Sequence, residues 1–138
     1  MPKILLVEDD ELVRDMLTQL LERASHAVLS ACNGEEAAKI LKQHTPDLML
    51  TDIIMPKKSG IALITEVKQK HPNLPIIAIS GGGRFDPIGY LDLSESLGAT
   101  ISFTKPIDNA ALLMAIDLLL HGDEKKQTAP YLSSTSLQ

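Results

Sequence analysis

Four short apolar runs in this chain each end in a charged or hydroxyl-bearing group: ILLVEDD at 4–10, LMLTD at 48–52, IIAIS at 76–80 and ISFTKP at 101–106. If these runs are parallel strands of one sheet, Glu8, Asp9, Asp52, Ser80 and Lys105 converge at its carboxyl edge, where open α/β sheets place their ligands. Everything else in the sequence bears on whether that sheet forms and what its edge can do.

The segments between the runs carry helical periodicity. Residues 12, 13, 16, 17, 20, 21 and 24 are Leu, Val, Met, Leu, Leu, Leu and Ala, a repeat that lays an apolar stripe along a helix which Asp10 or Glu11 is placed to start. A further apolar segment, 27–32, leads into Asn33-Gly34-Glu35-Glu36, where Asn33 is expected to cap the next helix and Glu36 sits at the reciprocal position of a capping-box-like pair. That helix ends before Pro46. After 48–52 comes a turn-rich stretch, Met55-Pro56-Lys57-Lys58-Ser59-Gly60, then a helix with Ile61, Ile64 and Val67 on one side, stopped by His71-Pro72-Asn73. A loop over 80–89 and a short helix around 90–97 precede Gly98, which suits a helix carboxyl cap. Asp108 caps a last helix whose apolar face holds Leu112, Leu113, Ile116, Leu119 and Leu120.

Strand followed by helix, five times over, implies a parallel sheet covered on both faces and joined by right-handed crossovers. Five strands are too few for an eight-stranded barrel. The expected fold class is therefore α/β: a flavodoxin-like (βα)5 three-layer sandwich with sheet order 2-1-3-4-5. In that order the first and third strands flank the topological switch point, which puts Asp9 and Asp52 across one crevice.

Composition narrows the function. The 138 residues fit one domain with a real core, expected over 1–121, with 122–138 as a polar tail or the start of a linker. No apolar run approaches the roughly 18 residues of a membrane span, and Met1-Pro2-Lys3 leads straight into a strand without a signal-like segment. A cytoplasmic protein without membrane contact is expected. Cys32 has no cysteine partner and no companions at metal-site spacing, so it reads as an incidental or small buried thiol. A net charge of −5, with no helix-turn-helix or RNA-binding pattern after residue 121, points away from direct nucleic-acid binding and toward protein partners.

Several carboxylates gathered at one edge repel each other unless a cation joins them. Mg²⁺ suits such a site because it uses one or two carboxylates and keeps waters, leaving room for a phosphate oxygen. Asp52 is the central carboxylate, and carboxylates serve as nucleophiles that form acyl phosphates. Lys105 offers a point charge and Ser80 a hydroxyl donor for the phosphoryl oxygens. Taken singly, each has a plainer explanation: Asp10 as a helix cap, Lys105 as a solvated surface residue, Ser80 as the start of a flexible Gly81-Gly82-Gly83 loop. Their joint occurrence at successive strand ends favours the site.

The chain resembles the receiver domain of bacterial two-component response regulators over about residues 3–121. The resemblance is carried by VEDDELVR at 7–14, TDIIMPKKSG at 51–60, IIAIS at 76–80, LGA at 97–99 and TKPI at 104–107. Arg14 of the first helix registers the acidic pair on Glu8 and Asp9 and leaves Asp10 at the cap. The resemblance implies Asp52 as phosphoacceptor, Ser80 as switch hydroxyl and Lys105 as phosphate-contacting lysine. It implies an Mg²⁺ site made by Asp9, Asp52, the Ile54 backbone carbonyl and, through water, Glu8. It also implies a cis Lys105–Pro106 bond, and a histidine kinase or histidine phosphotransfer protein as donor with a downstream protein as target. A phosphoacceptor of this kind is a signalling domain that catalyses only its own phosphorylation and dephosphorylation.

Two departures stand out. Receivers commonly carry Tyr or Phe three residues before the lysine, whereas this chain has Ser102, and the segment from Ser80 to Lys105, including Arg84, is long. These motivate an alternative, a phosphorylation-independent interaction domain with a receiver fold. An Mg²⁺-dependent phosphatase with an aspartyl nucleophile is disfavoured, because a DxD pattern is expected after the first strand and 9–11 reads Asp-Asp-Glu.

Overall fold

The computed structural model describes residues 1–53, 59–80, 95 and 97–128, with only the backbone described for 122–128. The expected turn at 55–58, the glycine loop after Ser80 with Arg84, most of the helix around 90–97 and the end of the tail lie outside these residues. The elements are β1 (Lys3–Val7), α1 (Glu11–Arg23), β2 (Ala27–Ala31), α2 (Gly34–Gln43), β3 (Leu48–Asp52), α3 (Gly60–Lys70), β4 (Ile76–Ser80), β5 (Ile101–Thr104) and α4 (Asn109–Thr128). The five strands pair in parallel in the order β2-β1-β3-β4-β5, as the alternation predicts.

Sheet position explains the composition of each strand. Every residue of β3 and β4 is buried, because helices cover both of their faces, so these strands read as unbroken apolar runs. The edge strands β2 and β5 are only partly buried. Alternation along β1 sends Ile4 and Leu6 to one face and Leu5 and Val7 to the other. The first pair packs with Leu17 and Leu21 of α1 and with Leu112 and Ile116 of α4; the second packs with Ala37 of α2 and with Leu63, Ile64 and Val67 of α3. The result is three layers, each fully buried Leu or Ile contributing about 1.5–3 kcal/mol.

The helix starts follow the sequence signals. Asp10 caps α1, its Oδ1 accepting from the N–H of Leu12 at 2.9 Å and Val13 at 3.3 Å. Asn33 caps α2 by accepting from the Glu36 N–H at 2.8 Å. Glu36 reciprocates one residue earlier than a standard box, accepting from the Cys32 N–H at 2.9 Å. Cys32 is accordingly half-buried within this cap rather than in the core, its Sγ accepting from Asn33 Nδ2 at 3.6 Å. Ser59 caps α3 and Asp108 caps α4, through Ala62 and Ala111 respectively.

Three features depart from the simple pattern. The α1 stripe is wider than the face that packs: Leu17 and Leu21 are buried, while Leu12 is 80% and Met16 54% exposed, since they project well around the helix from Leu17. The backbone of α4 continues to Thr128 across an interruption at His121, past the end expected near 121. Gly98 has φ of 134° and donates from its N–H to the Glu95 carbonyl at 3.2 Å, as a glycine at a helix end should. A Cβ there would lie 2.3 Å from Lys68 Cγ, so the absence of a side chain also lets α3 approach.

Candidate functional site

The parallel register brings the strand ends level. Thr51 of β3 pairs with Val7 of β1, Asp52 with Ile79 of β4, and Ser80 with Thr104 of β5, so the next residues of each strand meet at one edge. The edge is held shut by backbone bonds that continue past the strands: Glu8 N–H to the Ala31 carbonyl at 3.0 Å, Ile53 N–H to Ile79 at 2.9 Å, and Lys105 N–H to Ser80 at 2.8 Å. Gly60 closes against β3, its N–H donating to the Ile53 carbonyl at 2.8 Å. A Cβ on Gly60 would stand 2.2 Å from the Asp52 carbonyl oxygen, so no other residue brings α3 this close. In the sequence Gly60 reads only as the end of a turn, and its place directly after Lys58-Ser59 and before a helix is the signal for this close approach.

Glu8, Asp9 and Asp52 come together here, offering carboxylate oxygens that all lie within 4.8 Å of one another. Glu8 is 1% and Asp52 5% exposed, whereas Asp9 faces solvent. Asp10, occupied as a cap, stays outside the group, and its N–H donates to Glu8 Oε2 at 3.1 Å. Lys105 reaches in from beyond β5: its Nζ donates to Asp52 Oδ2 at 3.2 Å and stands 3.1 Å from Glu8 Oε1. The Lys105–Pro106 peptide is cis. Ser80 is fully buried at the end of β4. The Ile54 carbonyl expected in the ligand set lies outside the described residues.

Negative charge dominates the electrostatics of this edge. Burial, and then the nearby Asp52 charge, push the Glu8 carboxyl up to about 7, against the opposing pull of the Asp10 N–H and Lys105. Burial by itself would lower the Lys105 amine, but the Asp52 and Glu8 carboxylates outweigh it and raise it above its ordinary value. Three carboxylates face one ammonium, so a further cation relieves the repulsion. Among the described residues, Glu8 Oε1 and Ser80 Oγ are two of three buried side-chain atoms without a hydrogen-bond partner. Glu8 Oε1 has a charge partner but no aligned donor, and Ser80 Oγ is available to a ligand oxygen. Hard oxygen donors and these two unsatisfied atoms fit a small divalent cation with its waters and an anion beside it.

Fold and site together define an α/β domain with an acidic group, closed by a lysine, at its topological switch point. The chain belongs to the response regulator receiver domain family, whose model matches residues 4–117. It is 36% identical over 138 residues to the transcriptional regulatory protein CpxR of Klebsiella pneumoniae, covering 98% of this chain and 57% of that protein. Over 118 residues it is 31% identical to the chemotaxis protein CheY of Halobacterium salinarum, covering 86% of this chain and 96% of that protein. The response regulator TrrA of Thermotoga maritima, solved in complex with Mg²⁺ and BeF, matches with a TM-score of 0.77 at 29% identity, covering 87% of this chain and 100% of that one. The chain spans a little over half the length of the CpxR and AfsQ1 regulators it matches, 57% and 55%. Among the described residues, no helix is long and apolar enough to cross a membrane.

Proposed function

We propose that Asp52 accepts a phosphoryl group from a phosphohistidine on a histidine kinase or phosphotransfer protein, and that the modified domain presents a changed surface to a downstream protein. The observation that carries this reading is the Asp52 carboxylate held 3.2 Å from Lys105 Nζ within an acidic group. An Asp52 carboxylate oxygen attacks phosphorus, a P–O bond forms, and the P–N bond to the donor histidine breaks with its electron pair returning to the imidazole. Lys105 is positioned to offset charge on the transferring group, and the Ser80 hydroxyl, buried without a partner among the described residues, to donate to one of its oxygens. Asp9 and Asp52, with Glu8 through water, are the described residues that would hold Mg²⁺. When bound, the ion supplies charge neutralisation for an anionic donor approaching an anionic nucleophile.

In this reading residues 1–121 form the receiver unit of a cytoplasmic signalling protein, which catalyses its own phosphorylation and dephosphorylation and turns over no separate substrate. The test is intact mass after incubation with Mg²⁺ and a small acyl phosphate. A phosphate-sized gain is expected, absent in Asp52→Asn; no gain beside a reacting control receiver overturns the proposal.

A second reading, an interaction domain indifferent to phosphorylation, is favoured by one contact. Ser102 Oγ donates to Glu95 Oε2, so a polar bond ties the segment before Gly98 to β5 where an aromatic side chain is common in the family. Amide shifts over 95–104 that stay unchanged on adding Mg²⁺ and beryllofluoride would select this reading over the first.

A further inference from the structure

Glu8 and Asp9 are neighbours in the chain yet are held in different ways. Glu8 is held by its N–H on Ala31 and its Oε2 on the Asp10 N–H, while its Oε1 faces the Lys105 charge at 3.1 Å. Asp9 is exposed, and among the described residues no hydrogen bond holds its carboxylate. What holds Asp9 is the peptide that precedes it. The carbonyl oxygen of Glu8 accepts from Arg14 Nη1 at 2.9 Å. Because the peptide unit is planar, holding that oxygen sets the plane of the Glu8–Asp9 peptide and the position of the Asp9 Cα, and with the Asp10 N–H held on Glu8 Oε2 at 3.1 Å the backbone torsions that direct the Asp9 side chain are confined from both sides.

Arg14 is itself well placed for this. It lies on the second turn of α1, where its N–H donates to the Asp10 carbonyl at 2.8 Å and its own carbonyl accepts from Thr18 Oγ1 at 2.7 Å. The guanidinium therefore spans from a settled helix to the loop between β1 and α1. It contacts a carbonyl, leaving the carboxylate oxygens of the acidic group unblocked.

We propose that Arg14 is a positioning residue, whose guanidinium clamps the Glu8–Asp9 peptide and so aims the Asp9 carboxylate into the group formed with Glu8 and Asp52. This rests on the phosphoacceptor reading in one respect, that the group holds a divalent cation. Outer groups that orient metal ligands typically govern 10- to 100-fold in affinity.

The experiment is calorimetric titration of the protein with Mg²⁺, beside thermal unfolding of the metal-free protein, for wild type, Arg14→Gln and Arg14→Lys. Calorimetry is the suitable readout because the chain contains no tryptophan. Arg14→Gln is expected to weaken Mg²⁺ binding about tenfold while the metal-free unfolding temperature stays near that of the wild type. Arg14→Lys, which restores a cationic donor of similar reach, should recover most of the affinity. Unchanged affinity in Arg14→Gln overturns the proposal and leaves the phosphoacceptor reading intact. Failure of Arg14→Gln to fold, or an affinity loss matched by a fall in metal-free stability that Arg14→Lys does not repair, shows a structural role and also overturns it. A wild-type protein that binds no Mg²⁺ overturns both.

Discussion

Two lysines of this domain, each partly withdrawn from water, have amines shifted in opposite directions. Lys105 lies between the carboxylates of Asp52 and Glu8, which raise it despite burial. Lys68 reaches from α3 to the carbonyls of Pro72 at 3.3 Å and Leu74 at 2.8 Å, and burial lowers it. Both amines have partners at similar range, so distance does not separate them. The charge of the partner does: Lys105 balances an anionic site, while Lys68 ties the end of α3 to the approach to β4 and packs its stem against Gly98.

The contrast can be broken by substitution. The largest effect is expected from Asp52→Asn, which removes the nucleophile and the stronger of the charges raising Lys105: phosphate incorporation should vanish in the mass assay, and the Lys105 amine should titrate at lower pH in a heteronuclear NMR titration. Incorporation at the wild-type level would remove Asp52 from its assigned role.

Next comes Lys105→Gln, expected to slow phosphorylation by small donors about a hundredfold, the typical effect of losing a charge-stabilising donor in a preorganised site. Lys68→Met should leave that rate unchanged but lower stability by about 0.5–1.5 kcal/mol, since the part-buried Leu74 carbonyl loses its donor while the exposed Pro72 carbonyl regains water. Denaturant unfolding of both variants tests the distinction; a Lys68→Met protein as slow as Lys105→Gln would end it.

The last effect concerns pH. The Glu8 carboxyl titrates at about 7 in the folded protein, against 4.5 for its ordinary value. Below about 4.5 folded and unfolded states both hold the proton; between there and about 7 only the folded state does. Metal-free stability should therefore fall as pH rises through this window, and Glu8→Gln should flatten the fall. Mg²⁺ affinity should run the other way, strengthening as pH rises toward about 7 and levelling off above it, because the ion competes with that proton. Unfolding temperatures measured against pH in the presence of a chelator check the first point, and parallel curves for wild type and Glu8→Gln would refute it.

Much of this molecule is legible in one dimension, and the reason is locality. Asp10, Asn33, Ser59 and Asp108 cap helices through N–H groups two or three residues on, so a few letters suffice to find them. The apolar runs of β1, β3 and β4 declare strands covered on both faces, and their alternation with helices leads to the sheet order. The strand-end positions of Glu8, Asp9, Asp52, Ser80 and Lys105 follow from that order alone.

What the chain could not declare is how those groups meet. Asp52 and Lys105 are 53 residues apart, and their 3.2 Å contact exists because β3, β4 and β5 end level. Glu8 differs from Asp9 in burial although the two are adjacent, because β1 lies inside the sheet and the chain surfaces one residue later. The stripe on α1 was visible, but which part of it packs was decided by the sheet beneath, leaving Leu12 and Met16 outside. The sequence by itself determined the elements, their order and the chemical groups delivered to one edge, since local propensity and hydrophobic periodicity act over a few residues. Tertiary structure decided which carboxyl is buried, which lysine faces charge and which carbonyl Arg14 holds, because desolvation and Coulomb forces depend on separations in space.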